Sequence, residues 1–360
     1  MKILFVLEYY YPNIGGVEKL FKELCESLAK EGHDIQVVTS RFDKNLAIDE
    51  MLNGVKITRL NLSNRFLFTF FSIFRILAIA KSYDIIHTTS YNAAFPAWLV
   101  AKIQRKKSII TFHEVWGDLW NELPYLSALQ KKLFSFYEWF ILQLKFNHYI
   151  AVSEFTKGEL VKANISPEKI IRIYNGICPE HYQQKEKIEP NDFTFTYFGR
   201  LGVSKGLDLM IPSAQKFLHN HPEAKFKLII PKTPKAFYLK ILHVLKDIGS
   251  QLSLYHHLSF EELKKEVSAS SCVLIPSYSE GFCFAAVEAN MLNVPVITSA
   301  KGALKETVST RFIEMRSHNE QGLLEALELA YQKKYTYKDR RLFLLENSVQ
   351  EYLEFYERLM

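Results

Sequence analysis

The sequence predicts two doubly wound α/β domains, and three observations carry that prediction. Short apolar runs alternate with segments of helical period along nearly the whole chain, the β-α-β rhythm of a parallel sheet with crossover helices. A low-apolar stretch of Gln, Lys, Glu and Pro at 179–192 interrupts the rhythm, which then restarts. The length of 360 residues suits two domains. The expected organisation is a first domain at 1–178, a linker at 179–192, a second domain at 193–340, and a helical end, 341–360, returning to the first domain. The domains are expected to face each other across a cleft.

In the first domain, Lys2–Leu7 reads as a strand and Glu8–Gly16, with Pro12, Gly15 and Gly16, as a loop. Val17 to Lys30 has apolar residues at helical spacing, and Gly32 stops it. Strands are expected at Ile35–Thr39, Val55–Leu60, Asp84–Thr88, Ser108–Thr111, Tyr149–Val152 and Ile170–Tyr174. Helices are expected at Phe66–Lys81, Ala93–Gln104, Leu126–Phe146 and Glu154–Lys162. In the second domain the strands are Phe193–Phe198, Phe226–Ile230, Leu252–Tyr255, Cys272–Ile275 and Pro295–Thr298. The helices there are Gly206–Asn220, Lys235–Ile248, Phe260–Ser268 and Phe284–Leu292, with helical segments near 320–333 and 339–358.

Composition bounds the function. The chain is 48% hydrophobic and 23% charged with a net charge of +6, and neither half is basic enough to argue for nucleic acid. The four cysteines lie far apart, with no C-x-x-C or Cys/His cluster for zinc, which suits a reducing cytosol. No signal peptide is read at the start. The longest apolar segment, Phe66–Ala80, falls short of the roughly 20 residues a spanning helix needs. The expected setting is cytoplasmic, either free or at the inner face of the cell membrane.

Candidate chemistry sits where open α/β sheets bind ligands, beyond the carboxyl ends of strands. In Ser277 to Ala289, a helix N-terminus that suits phosphate lies between two carboxylates, Glu280 and Glu288, that suit hydroxyls; an ordinary strand-loop-helix with two surface glutamates is the alternative. In Phe198 to Gly206, Arg200 and Lys205 are two cations in a Gly-rich loop that could hold phosphates; solvated surface cations are the plainer alternative. Gly15-Gly16 follows the first strand and lets backbone approach a ligand. His113 lies just beyond a strand end, a place that favours a ligand role, with a structural histidine as the plainer alternative. The dinucleotide pattern G-x-G-x-x-G is absent from the first loop, and no D-x-D for a divalent metal occurs anywhere.

These features together resemble the retaining GT-B glycosyltransferases with the E-x7-E signature, glycosyltransferase family four. The matching segments are Gly15-Gly16 with Glu18, Thr111 to Glu114, Ala151 to Glu154, Tyr174 to Ile177, Phe198 to Leu201 with Lys205-Gly206, Pro276 to Ala289, and Val294 to Ile297. They fall in the family's order and cover nearly the whole chain. The resemblance implies a GT-B fold of two Rossmann-like domains and a metal-independent transfer of a hexose from a nucleotide-diphosphate sugar. The acceptor would be a saccharide or a polyprenyl- or lipid-linked saccharide, in polysaccharide or glycoconjugate biosynthesis. Arg200 and Lys205, with Gly15 and Gly16, would hold the donor diphosphate. Glu280 with Gly281, Phe282 and Cys283 would bind the donor sugar, Glu288 the ribose, and His113 would lie against the sugar. The catalytic set is then His113, Glu280, Arg200 and Lys205, with no metal and no cofactor. Alternatives are a GT-B nucleotide-sugar epimerase or hydrolase, or a non-catalytic nucleotide-sugar-binding subunit.

Departures from the family pattern are Cys283, where glycine is usual, and Cys178, where an acid is usual. Leu254-Tyr255-His256-His257 lacks a customary glycine beside the base pocket, and Lys301 to Glu306 is a degenerate Gly-Gly-x-Pro-Glu. Cys283 is read as a tolerated small residue, not a nucleophile. The first domain also carries Lys102 with Arg105-Lys106-Lys107, an aromatic stretch from Trp116 to Phe140, and the apolar helix of Phe66–Ala80. These suit peripheral attachment to an anionic bilayer; a solvated helix end and core aromatics are the alternative.

Overall fold

A computed structural model describes residues 1–13, 15–183 and 190–359. Much of the expected linker, 184–189, lies outside the described residues. The chain forms two compact units. The first is made of Met1–Trp120, Leu129–Gly176 and Leu344–Met360, the second of Asn121–Ala128 and Ile177–Phe343.

The first unit contains, in chain order, β1 (Lys2–Val6), α1 (Gly16–Lys30), β2 (Asp34–Ser40), β3 (Asp49–Leu52), β4 (Val55–Leu60), α2 (Arg65–Ala80), β5 (Ile85–Thr89), α3 (Ala94–Gln104), β6 (Lys107–Phe112), α4 (Ala128–Gln143), β7 (His148–Ala151), α5 (Glu154–Lys162) and β8 (Ile170–Arg172). Its eight strands run in the order β3-β4-β2-β1-β5-β6-β7-β8. All neighbours are parallel except β3 and β4, a hairpin closed by Asn53-Gly54 with both residues at positive φ. Asn-Gly is the usual two-residue hairpin turn. The sequence reading missed β3 because Asp49 and Glu50 give it no apolar face.

Side chains alternate across the strands, so the two faces of this sheet bury different helices. Leu4, Val6 and Ile86 pack with Phe68 and Ile76 of α2 and Ala97 and Val100 of α3. Ile110, Phe112 and Ala151 pack with Ile141 of α4 and Leu160 of α5. On the opposite face, Phe5 and His87 meet Phe21 of α1. The last helix, α12, follows the second unit in sequence (Leu345–Leu359) and belongs to this face. The Tyr356 hydroxyl and His87 Nδ1 are 2.5 Å apart, and His87 Nε2 lies 2.8 Å from Thr111 Oγ1. Gly176 presses against the start of α12, where a Cβ would lie 2.5 Å from the Leu344 backbone.

His87 is fully buried, and burial, with nearby His113 adding to it, lowers its pKa to about 3. The imidazole stays neutral in the native state while the unfolded chain takes up a proton near pH 6.5. Its contribution is therefore complete above pH 6.5 and is lost progressively as pH falls toward 3. Native stability is expected to drop roughly 1.4 kcal/mol more steeply per pH unit below 6.5 than that of His87→Gln. Urea unfolding between pH 7 and 5 checks this; parallel pH slopes for the two proteins would refute it.

The second unit contains β9 (Thr194–Phe198), α6 (Leu207–Asn220), β10 (Lys225–Ile229), α7 (Lys235–Leu245), β11 (Leu252–Tyr255), α8 (Phe260–Ser268), β12 (Cys272–Ile275), α9 (Phe284–Met291), β13 (Val296–Thr298), α10 (Leu304–Thr307), β14 (Thr310–Glu314), α11 (Glu320–Tyr331) and β15 (Thr336–Lys338). Strand order is β11-β10-β9-β12-β13-β14-β15, parallel until the exposed antiparallel edge strand β15. Phe195 of β9 stacks on Phe226 of β10 and meets Phe217 of α6 edge-on. The sequence reading missed β14, β15 and the single turn α10. It also ran α7 on to Ile248, where the chain tightens into a 3₁₀ turn over Lys246–Gln251 with Gly249 at φ 66°. Tyr125, from the octapeptide inserted in the first unit's sequence, packs edge-on against Phe237 with Lys240 above its ring.

Candidate active site

In the second unit the strand order reverses between β9 and β12, both parallel in one sheet. A crevice opens beyond the carboxyl ends of strands at such a point. The loops after these two strands are the segments that carry Arg200, Lys205 and Glu280.

The loops are locked together by backbone. The Tyr278 N–H donates to the Ser204 carbonyl at 2.8 Å. Gly206 sits at φ 70°, and a Cβ there would lie 2.1 Å from the Pro276 carbonyl oxygen, so only glycine fits. Beneath them the Tyr197 hydroxyl donates to the Arg200 carbonyl at 2.8 Å.

This framework brings Lys205 Nζ to 2.7 Å from Glu280 Oε1, and the Ser277 hydroxyl donates to the same oxygen at 2.7 Å. The Glu280 side chain is 7% exposed and that of Lys205 20%. The Glu280 backbone is held as closely: its carbonyl accepts from Ala303 N–H at 2.7 Å, and Gly302 packs so near that a Cβ would lie 2.4 Å from the same oxygen. The degenerate 301–306 segment thus keeps the glycine that this approach requires. Arg200 is exposed, and its guanidinium has no ion-pair partner among the described residues.

After Gly281, Phe282 packs against Phe284 and Phe343. Cys283 caps α9 at φ 71°, ψ 80°, a left-handed conformation that glycine adopts without strain. Burial, with Glu280 adding to it, pushes its thiol pKa well up, so the group is a thiol and not a thiolate nucleophile. Glu288 lies in the second turn of α9, where the Tyr182 hydroxyl donates to Oε1 at 2.7 Å. Phe260 meets the Tyr182 ring edge-on, and Phe198 and Lys264 line the same small hollow.

In the first unit, Gly15 and Gly16 open α1, and His113 follows β6 directly. A Cβ on Gly15 would lie 2.2 Å from Glu18 Oε2, so glycine admits that carboxylate, whose other oxygen accepts from Asn13 at 3.0 Å. The His113 ring packs edge-on against Phe21 of α1, so the helix opened by the glycines also braces the histidine. Sequence reasoning missed Ser277, which stands in plain view in the motif, and Tyr182, hidden in the stretch read as linker. Among the described residues no group of three His, Cys, Asp or Glu side chains is placed to hold a metal ion.

Residues 14–181 match the model of Glycosyltransferase Family 4, and residues 180–342 that of Glycosyl transferases group 1. Together the two glycosyltransferase models span residues 14–342, nearly the whole chain. The chain is 25% identical over 338 residues to a human phosphatidylinositol N-acetylglucosaminyltransferase subunit, covering 91% of this chain and 68% of that protein. It is 28% identical over 348 residues to an uncharacterised glycosyltransferase of Methanocaldococcus jannaschii, covering 86% and 83%. Among solved structures, sucrose-phosphate synthase from Thermosynechococcus elongatus superimposes with a TM-score of 0.81 at 17% identity, over 100% of this chain and 99% of that one. Anabaena HepE in complex with UDP-glucose superimposes with a TM-score of 0.74 at 17% identity, over 99% and 100%. These likenesses fix the fold as GT-B.

Proposed function

We propose that this glycosyltransferase moves a hexose, with retention of anomeric configuration, from a nucleoside-diphosphate sugar to a hydroxyl of a saccharide or lipid-linked saccharide. The observation that carries the reading is the Lys205–Glu280–Ser277 cluster at the point where the second sheet reverses its strand order. A cation, a carboxylate and a hydroxyl converging on one crevice suit a ligand that has both phosphates and sugar hydroxyls.

Arg200 and Lys205 are assigned to the donor diphosphate. They would stabilise the negative charge that grows on the leaving phosphate as the glycosidic bond breaks. In the same-face reaction, that phosphate oxygen takes the acceptor's proton as the acceptor oxygen bonds to the anomeric carbon. Glu280, with the backbone of Gly281, Phe282 and Cys283, is assigned to the donor sugar, and Glu288, steadied by Tyr182, to the ribose. In the first unit, Gly15 and Gly16 are assigned to the phosphates and His113 to the sugar. The two cations supply the charge a divalent ion would bring, so transfer is expected to survive chelation. The UDP-glucose in the Anabaena neighbour supports the donor class. The name of the human relative supports a lipid-borne acceptor.

The test is a panel of nucleotide sugars scored by thermal stabilisation, followed by turnover with the stabilising donor and candidate acceptors. One donor class is expected to raise Tm, since a ligand that binds only the native state stabilises it. NMR of the product is expected to show the anomeric configuration of the donor. An inverted product would refute retention. Release of free sugar or epimer without acceptor would assign the fold to a hydrolase or epimerase, and binding without turnover would assign it to a subunit that only binds.

A further inference from the structure

The outer surface of the α2, α3 and α4 layer is apolar where a water-facing helical layer should be charged. Phe66, Phe70 and Phe74 of α2 stand out from the surface, with Phe74 73% exposed. Leu133, Phe136 and Trp139 of α4 do the same, with Phe136 61% exposed. The two rows are continuous: Phe70 meets Phe95 of α3, and Phe95 meets Phe140 of α4. The three helices carry one carboxylate between them, Glu138, and it is buried. An exposed patch of this kind marks a contact surface.

Charge identifies what it contacts. Where α3 and α4 end, a cavity of about 290 Å³ is lined by Lys102, Arg105, Lys106, Lys107 and Lys145. Lys106 donates to the Lys81 carbonyl at 3.2 Å, and Trp98 of α3 donates to the Lys145 carbonyl, which joins the cavity wall to the apolar layer. Among the described residues none of the five cations pairs with a carboxylate. Helix carbonyl ends attract cations, but four of the five, Lys102, Arg105, Lys107 and Lys145, remain exposed. A second copy of the chain would bring like charge against like charge. An anionic bilayer offers both complements, acyl chains for the aromatics and phosphate headgroups for the cations.

We infer that the α2–α3–α4 face is a membrane-docking surface for anionic phospholipid, with the five-cation cavity receiving headgroup phosphates at its rim. The exposed aromatics enter the headgroup–acyl boundary while the cations hold that depth and orientation. A lipid-linked acceptor would then be met at the surface in which it resides. The inference deepens the lipid-linked reading of the acceptor and is independent of the donor chemistry.

The experiment is co-sedimentation of the full chain with vesicles of phosphatidylcholine alone and of equimolar phosphatidylcholine and phosphatidylglycerol. The protein is expected to pellet with the anionic vesicles and to stay in solution with the neutral ones. Lys102→Glu with Lys107→Glu is expected to weaken binding by roughly fivefold or more for each cation removed. Phe74→Ser with Trp139→Ser is expected to abolish it. Both variants are expected to keep wild-type donor-induced thermal stabilisation, which separates a failure here from a failure of the proposed reaction. Equal binding to both vesicle types, binding to neither, or full binding by the lysine variant would overturn the inference. So would a wild-type dimer that Phe74→Ser with Trp139→Ser turns into a monomer, since that assigns the face to a second copy.

Discussion

Lys205→Ala is expected to lower glycosyl transfer by roughly 10²–10³-fold while leaving the protein folded. The ammonium sits 2.7 Å from Glu280 in a loop held by Gly206 and by the Tyr278–Ser204 hydrogen bond. Two losses combine. The leaving diphosphate loses a positive charge that matters most in the transition state. Glu280 is left with Ser277 as its remaining side-chain donor, at a cost of about 3 kcal/mol in stability, because removing one partner strands a buried charge. Lys205→Arg separates the two. It keeps a cation against Glu280, but a planar fork cannot replace a compact point charge in so closed a loop. Its stability is therefore expected near wild type and its transfer well below. Measurement of kcat, KM and urea midpoint for both variants checks this. Near-wild-type transfer by Lys205→Ala and by Glu280→Ala would sink the assignment.

The second large effect is expected on the stability of the first unit. Glu138 of α4 is 3% exposed and accepts four hydrogen bonds. The Trp116 N–H and Tyr91 hydroxyl reach one oxygen at 3.0 and 3.2 Å, and the Gly117 N–H and Trp120 indole the other at 2.7 and 3.1 Å. One carboxylate thus fastens the loop after β6 to α4. Glu138→Leu removes the acceptor from four donors, of which Tyr91, Trp116 and Trp120 are buried or half-buried, at a cost of about 4 kcal/mol. Glu138→Gln keeps one acceptor oxygen but turns an NH₂ toward two donors, and should fall between. All four tryptophans, Trp98, Trp116, Trp120 and Trp139, lie in the first unit, so fluorescence-detected urea unfolding reads that unit directly. A midpoint for Glu138→Leu within error of wild type would refute the assigned role.

The architecture is legible in the sequence because parallel strands buried on both faces leave near-continuous apolar runs, as at Ile3 to Val6 and Cys272 to Ile275. Helix starts are legible where a cap announces them. Asn64 receives the first N–H groups of α2, and Ser259 forms a capping box with Glu262 on α8. Edge strands are not legible. β3 and β15 are mostly or wholly exposed and polar, and their strand character comes from the partner they pair with. The Asn53-Gly54 turn is the one local clue to β3.

Of the candidate site, the motif residues are legible by type and spacing. Their support is not. Tyr182 reaches Glu288 across more than a hundred residues of sequence, and Gly302 reaches Glu280 across a helix and a strand of intervening chain. No local pattern encodes such pairs. The aromatic stretch from Trp116 to Phe140 reads equally well as core and as surface, and it is both. Trp120 is buried on Glu138, while Phe136 and Trp139 face out.

The chain's path through its two units has a consequence for synthesis on the ribosome. The first unit begins first, yet its sheet is unfinished until α12 arrives with Tyr352 and Tyr356 to cover His87 and Thr111. All of Ile177–Phe343 is translated before that helix emerges. Domains form as they leave the ribosome. The second unit can therefore close around its early octapeptide while the first still waits with one face of its sheet uncovered. Of the two units, the one that begins earlier in the sequence is completed later, and a nascent chain stalled before residue 344 leaves the aromatic wall of Phe5, Phe21 and His87 without Tyr352 and Tyr356.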